Sequence, residues 1–134
     1  MAIRGGCHCG AIRYEARGVA KQHALCHCAD CRRSAGAPMV GWAAFAIDDV
    51  KITGAPVTYK SSEHGRRQFC GGCGTGLFYR NDAVNLPGII DIQSGTFDDL
   101  AALPAQVHIQ TADRVPWMED AHLLPAFPKF PEPG

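Results

Sequence analysis

The chain has 134 residues, 46% apolar and 19% charged, with Lys+Arg 13 balanced by Asp+Glu 13, a length that fits one domain over residues 1–134 with a moderately large core. A formal charge of zero excludes a polybasic surface built for nucleic acid or anionic lipid. No apolar run approaches the ~20 residues of a membrane span; the longest, residues 84–92, is interrupted by Asn85, Pro87 and Asp91.

Taken in chain order, the predicted elements are mostly strands. Residues 11–16 alternate, with Ile12 and Tyr14 opposite Arg13 and Glu15, the period-2 pattern of a half-buried strand. Residues 28–35 read as a short helix that begins inside a cysteine cluster. Residues 40–47 are nearly all apolar and carry Trp42 and Phe45, which predicts a strand buried on both faces. Residues 57–60, 68–69, 76–80, 89–93 and 106–111 are further short strands, and Thr53-Gly54, Asn81-Asp82 and Pro87-Gly88 mark turns between elements. Thr96 is placed to cap a helix through Leu100 and Leu103, with Asp99 near its positive end and Pro104 as its stop. From Leu124 onward Pro125, Pro128, Pro131 and Pro133 favour an extended tail (about residues 125–134), anchored by Phe127 and Phe130. The expected fold class is therefore mainly β with one or two short helices. Its expected core is Ile12, Tyr14, Trp42, Phe45, Phe69, Leu77, Phe78, Ile90, Ile92, Val107 and Ile109, while Trp117 belongs either there or over the site.

Seven cysteines set the direction of the functional reading. The opening Met1-Ala2-Ile3-Arg4-Gly5-Gly6 has no apolar signal core, so the expected location is cytoplasmic, where thiols stay reduced. Seven is odd, and Cys7-His8-Cys9, Cys26-His27-Cys28-Ala29-Asp30-Cys31 and Cys70-Gly71-Gly72-Cys73 hold thiols too close for separate disulfide staples. Such spacings suit a metal, because neighbouring thiolates converge on one ion at about 2.3 Å each. Cys70-x-x-Cys73, eased by Gly71, Gly72 and Gly74, is one half of a tetrahedral site. If Cys26, Cys28 and Cys31 stay together, Cys7-x-Cys9 is the other half, since i and i+2 share a side of an extended chain; spacing alone leaves swapped pairs open. The triad then has an open fourth position, the construction of catalytic zinc sites, or a fourth ligand from His23, His27, Asp30 or His64, or it holds no metal and the chain binds a single ion. His27 lies between two ligand cysteines, which turns its side chain away. Iron in the four-cysteine site is not separated from zinc by ligand softness. Gly74-Thr75-Gly76 lacks the lysine and spacing of a phosphate loop, and no dinucleotide, H-E-x-x-H or G-x-S-x-G pattern competes.

Three motifs in order, Gly6-Cys7-His8-Cys9-Gly10-Ala11-Ile12-Arg13-Tyr14, Cys26-His27-Cys28-Ala29-Asp30-Cys31-Arg32 and Phe69-Cys70-Gly71-Gly72-Cys73-Gly74-Thr75, resemble the glutathione-dependent formaldehyde-activating enzyme family, which also includes centromere protein V. Weaker matches follow at Ser94-Gly95-Thr96-Phe97-Asp98, Pro116-Trp117 and Leu124-Pro125-Ala126-Phe127, so the resemblance spans nearly the whole chain. It implies an Mss4-like, zinc-stabilised β-sheet fold with two zinc ions per chain. One would be structural on Cys7, Cys9, Cys70 and Cys73, and the second, with catalytic potential, would sit on Cys26, Cys28 and Cys31. It further implies a carbon–sulfur lyase acting on a thiol–aldehyde adduct: glutathione and formaldehyde give S-hydroxymethylglutathione. The implied partners are a small thiol such as glutathione and a small aldehyde, with no nucleic acid and no membrane. Seven thiolates and two zinc ions would bring the formal charge to −3. Of the arginines beside the cysteine motifs (Arg32, Arg33, Arg66 and Arg67), Arg32, Arg33 and Arg67 are the candidate substrate contacts; tandem pairs send one member elsewhere. The alternatives are a non-catalytic, zinc-stabilised binding module and a thiol-based redox or metal sensor.

Overall fold

The computed structural model describes residues 2–83 and 88–131. Its smaller sheet is antiparallel and runs β1 (Ile3–Gly6), β2 (Arg13–Ala16), β5 (Val50–Thr53). The larger sheet has seven strands in the order β10 (Val107–Ile109), β3 (Gln22–Cys26), β4 (Val40–Ala46), β9 (Ile89–Gln93), β8 (Gly76–Asn81), β7 (Gly65–Phe69), β6 (Val57–Lys60). Its neighbours are antiparallel except β10, which runs parallel to β3. This is the mainly β, Mss4-like architecture expected from the sequence.

Side-chain alternation divides the large sheet into two working faces. Ala43 and Phe45 of β4, Ile90 and Ile92 of β9, and Phe78 of β8 turn toward the smaller sheet and meet Ile12, Tyr14 and Ala16 in the principal core. Tyr14 sets its ring edge-on to Phe78 at 5.6 Å, and its hydroxyl lies 2.7 Å from Thr96 Oγ1, so the buried polar end is satisfied. The intervening residues emerge on the opposite face, where Val40 and Trp42 form a second buried cluster with Cys26 and Cys31, flanked by Tyr79 and Ile109. Strand β4 is thus buried on both sides, as its apolar run predicts. Two faces, two cysteine groups: the sheet itself separates them.

The predicted helix is α1 (Ala29–Ala35). Cys28 caps it, its sulfur accepting from the Cys31 N–H at 3.3 Å, and Gly36 ends it at φ 67°. The helix expected from Thr96 is absent. Ser94–Thr96 forms one 3-10 turn, and the Thr96 hydroxyl donates to the Gln93 carbonyl at 2.7 Å, which removes it as a cap. Asp99 instead closes a local turn by accepting from the Ala101 N–H at 3.1 Å.

Most of the expected core is buried, but Val107 is exposed because β10 is an edge strand, and Phe69 and Ile109 are half-buried. Trp117 stands exposed in the 3-10 segment Pro116–Leu123. The tail carries no regular structure through residue 131. Its anchors do not hold: Phe127 is 57% and Phe130 95% exposed. Of the Pro87-Gly88 turn only Gly88 lies among the described residues, and Pro133 lies outside them. Among the described residues no helix is long and apolar enough to cross a membrane.

Candidate metal centres

The four-cysteine group is assembled from two turns of matching construction. In the first, the Cys7 N–H donates to the Ile12 carbonyl at 3.0 Å and the Gly10 N–H to the Cys7 carbonyl at 3.1 Å. In the second, between β7 and β8, the Cys70 N–H donates to the Thr75 carbonyl at 2.9 Å and the Gly74 N–H to the Cys70 carbonyl at 2.8 Å. Each turn is completed by a glycine at φ 82°, Gly10 and Gly74, a backbone state open to glycine at little cost. The register shifts between Gln68, opposite Phe78, and Phe69, opposite Gly76, so the β7–β8 ladder is irregular just before Cys70. The four sulfurs all lie within 4.8 Å of one another, with Cys7 to Cys9 at 3.6 Å and Cys9 to Cys70 at 3.7 Å. A disulfide needs about 2.05 Å, whereas sulfurs bound tetrahedrally at about 2.3 Å stand roughly 3.8 Å apart. The spacing fits a tetrahedral metal ion.

Backbone donors also address these sulfurs. The Ile12 N–H lies 3.2 Å from Cys7 Sγ; although burial pushes that thiol up, this bond outweighs it together with contacts from Cys9 and Cys70, and the thiol is lowered on balance. Thr75 donates to Cys73 from its side chain, at 3.3 Å, and from its backbone, and holds that thiol down at about 5. Two of the four thiols are thus held toward the thiolate that a metal requires, whereas at Cys9 the Ala11 N–H is outweighed by the neighbouring Cys7, Cys73 and Cys70 sulfurs, which push that thiol up to about 11.

Cys26, Cys28 and Cys31 form the second group, also within 4.8 Å. They come from the end of β3, the cap of α1 and its first turn, on the sheet face away from the principal core. No histidine or carboxylate of the described residues joins them within that distance. His23 is spent on the Leu103 carbonyl (2.9 Å) and Ser94 Oγ (2.8 Å). His27 is buried and turned to His108, 2.9 Å between Nε2 and Nδ1, as its place between two cysteines predicts. His64 pairs with Asp82 at 3.0 Å. Asp30 lines the adjoining cavity without entering the group. Burial pushes the Cys26 thiol up to about 12; burial acts the same way on Cys31, but hydrogen bonds from Cys28 and Arg67 hold it below its ordinary value.

A cavity of about 250 Å³ opens beside the three sulfurs, with Trp42, Arg67, Tyr79 and Asp91 in its wall. Arg67 Nη2 lies 3.7 Å from Cys31 Sγ, and its guanidinium stacks 5.1 Å over the Tyr79 ring. Arg33 shares a second cavity with Arg67, Tyr59 and Asp30. Arg32 donates to the His27 carbonyl at 3.3 Å and lines a surface groove with Arg33 and Trp117. Arg66 takes the other face of β7, paired with Asp82 at 3.2 Å. The structure therefore gathers Arg67 and Arg33 near the second group and leaves Arg32 at its margin. Asp91 and Tyr79 were not singled out from the sequence; the one available signal was a charged residue alternating with Ile90 and Ile92.

The sequence profile of the glutathione-dependent formaldehyde-activating enzyme family matches residues 2–113. The chain belongs to this family. A Halomonas elongata protein, provisionally named a glutathione-dependent formaldehyde-activating enzyme, is 28% identical over 137 residues, which cover 89% of this chain and 81% of that protein. The crystal structure of a Rhodobacter sphaeroides protein superposes with a TM-score of 0.61 at 22% identity, over 78% of this chain and 97% of that one; it shows the same fold. All three cysteine motifs fall inside the stretch that matches the family.

Proposed function

We propose that the chain, as one domain over residues 1–134 in the cytoplasm, binds two zinc ions and acts as a carbon–sulfur lyase on thiol–aldehyde adducts, joining glutathione to formaldehyde as S-hydroxymethylglutathione and reversing that step. The observation that carries this reading is the three-cysteine group at the wall of a cavity, with no fourth protein ligand among the described residues. Cys7, Cys9, Cys70 and Cys73 suit a closed structural site. When bound at Cys26, Cys28 and Cys31, zinc supplies a Lewis acid that favours the thiolate form of an incoming thiol.

The surrounding residues take supporting parts. Arg67 places a fixed positive charge beside Cys31, and with Arg33 it offers guanidinium groups to the carboxylates of glutathione. Arg32, half engaged by the His27 carbonyl, is a weaker contact. Trp42 and Tyr79 wall the cavity with apolar surface that strengthens charge interactions inside it.

Calorimetry and formaldehyde-consumption assays on the wild type and Cys28→Ser test the reading, with cysteine and coenzyme A as alternative thiols. Glutathione should bind the zinc-loaded wild type, more tightly as pH rises toward the thiol's own pKa, because coordination releases a proton. Cys28→Ser should lose both binding and turnover. Thiol binding that survives loss of the second zinc would contradict the reading, and thiol binding without turnover would favour a binding module.

A further inference from the structure

The cavity beside Cys26, Cys28 and Cys31 contains a carboxylate that the metal assignment does not use. Asp91 lies in the middle of β9, a central strand, opposite Ala44 of β4 and Tyr79 of β8. Its neighbours Ile90 and Ile92 are fully buried in the principal core, so alternation directs Asp91 to the other face, which carries Trp42, Tyr79, Arg67 and Cys26. A charged side chain inside a sheet is costly unless it is paired. Yet among the described residues no Lys, Arg or His forms an ion pair with Asp91. Arg67, two strands away across Tyr79, is directed at Cys31 Sγ and the Tyr79 ring instead.

Resting on the function proposed above, we infer that Asp91 is a catalytic residue, the proton donor and acceptor of the thiol–aldehyde reaction. In the direction of synthesis the thiol sulfur attacks the aldehyde carbon and the C–S bond forms. The carbonyl π pair moves onto oxygen, which takes the proton of the Asp91 carboxyl; the proton given up by the thiol restores it. In cleavage the Asp91 carboxylate removes the hydroxyl proton as the C–S bond breaks and returns that proton to the departing thiol. No oxidant or further reactant is required.

Burial pushes the Asp91 carboxyl up to about 6, so both protonation states are within reach near neutrality, the condition a general acid–base needs. The titratable or charged groups that share its cavity are Tyr79, Arg67, Asp30 and the three cysteines.

Two measurements on the zinc-loaded protein decide the matter. Asp91→Asn keeps the shape and removes the proton; it should retain the zinc content of the wild type, lose ~10²–10⁴-fold in kcat, and keep KM for glutathione within about threefold. By ¹³C NMR of the carboxyl carbons, the Asp91 signal of the wild type should titrate well above ordinary aspartates and shift on adding glutathione. Retention of kcat within about threefold in Asp91→Asn, or an Asp91 signal indifferent to saturating glutathione, overturns the proton-transfer role while a turning-over wild type leaves the lyase reading in place. A zinc-loaded wild type that turns over no thiol and aldehyde overturns both.

Discussion

Gly10 and Gly74 each follow the last cysteine of a metal turn, and each sits at φ 82°. A Cβ at Gly74 would meet nothing within 4 Å, so Gly74→Ala tests backbone conformation alone and should cost about 1–2 kcal/mol, read by urea denaturation of the zinc-loaded protein. Asp91 carries the opposite kind of strain, electrostatic and not conformational. Its carboxyl lies at about 6 against an ordinary 3.8, so the folded state holds the proton more tightly than the unfolded chain. The stability it lends is complete below the unfolded value and is lost as pH rises through about 6. Asp91→Asn should therefore be more stable than wild type at pH 7.5, by up to about 3 kcal/mol, with the gap narrowing toward pH 5. A gap that ignores pH, or an Asp91→Asn protein less stable throughout, would contradict this. The residue that weakens the fold at neutral pH is the one assigned the proton, the usual trade at a working site. The cysteine turns were legible in the sequence because Cys and Gly spacing is local chemistry. Asp91 was legible only as an interruption, since its meaning depends on which strands lie beside it.

Among the elements, β4 and β9 hold the centre of the large sheet. Phe45, 1% exposed, packs in the core between the sheets, and Phe45→Ala should cost about 3–5 kcal/mol by chemical denaturation. The two cysteine groups act on different elements. Cys70 opens the β7–β8 turn and meets Cys9 across 61 positions of sequence, so a metal held there would join the amino-terminal segment to the large sheet. Cys28 caps only the seven-residue α1. Cys70→Ser should accordingly unfold or aggregate, whereas Cys28→Ser should release one metal with the β-sheet circular dichroism retained. Equal collapse of both would refute the division of labour. Strands with clean alternation or a long apolar run, β2 and β4, were legible because burial writes period 2 into the chain. Strands β1, β3 and β5 were not, since Gly5-Gly6 has no side chains to alternate, His23 through Cys26 shows no clean period 2, and β5 ends at the Thr53-Gly54 turn. The helix placed after Thr96 failed for a tertiary reason: its hydroxyl serves Tyr14 and Gln93.

For the molecule as a whole, the proposed function rests on a strand order that no local pattern reveals. Only the sequence β3-β4-β9-β8-β7 sets Cys31 against Arg67, 36 positions apart, and Asp91 against Tyr79. The sequence motifs supplied the family and the metal-binding residue types; the sheet supplied the cavity and its charge. Crystals of the zinc-loaded protein, with anomalous data at the zinc edge collected with and without glutathione, put the two-site arrangement to the test. Two zinc ions are expected, one in a cage of four sulfurs that does not change, the other on Cys26, Cys28 and Cys31 with glutathione sulfur as its fourth ligand when the thiol is added. A single zinc per chain, or a second zinc already closed by a fourth protein side chain, would contradict it.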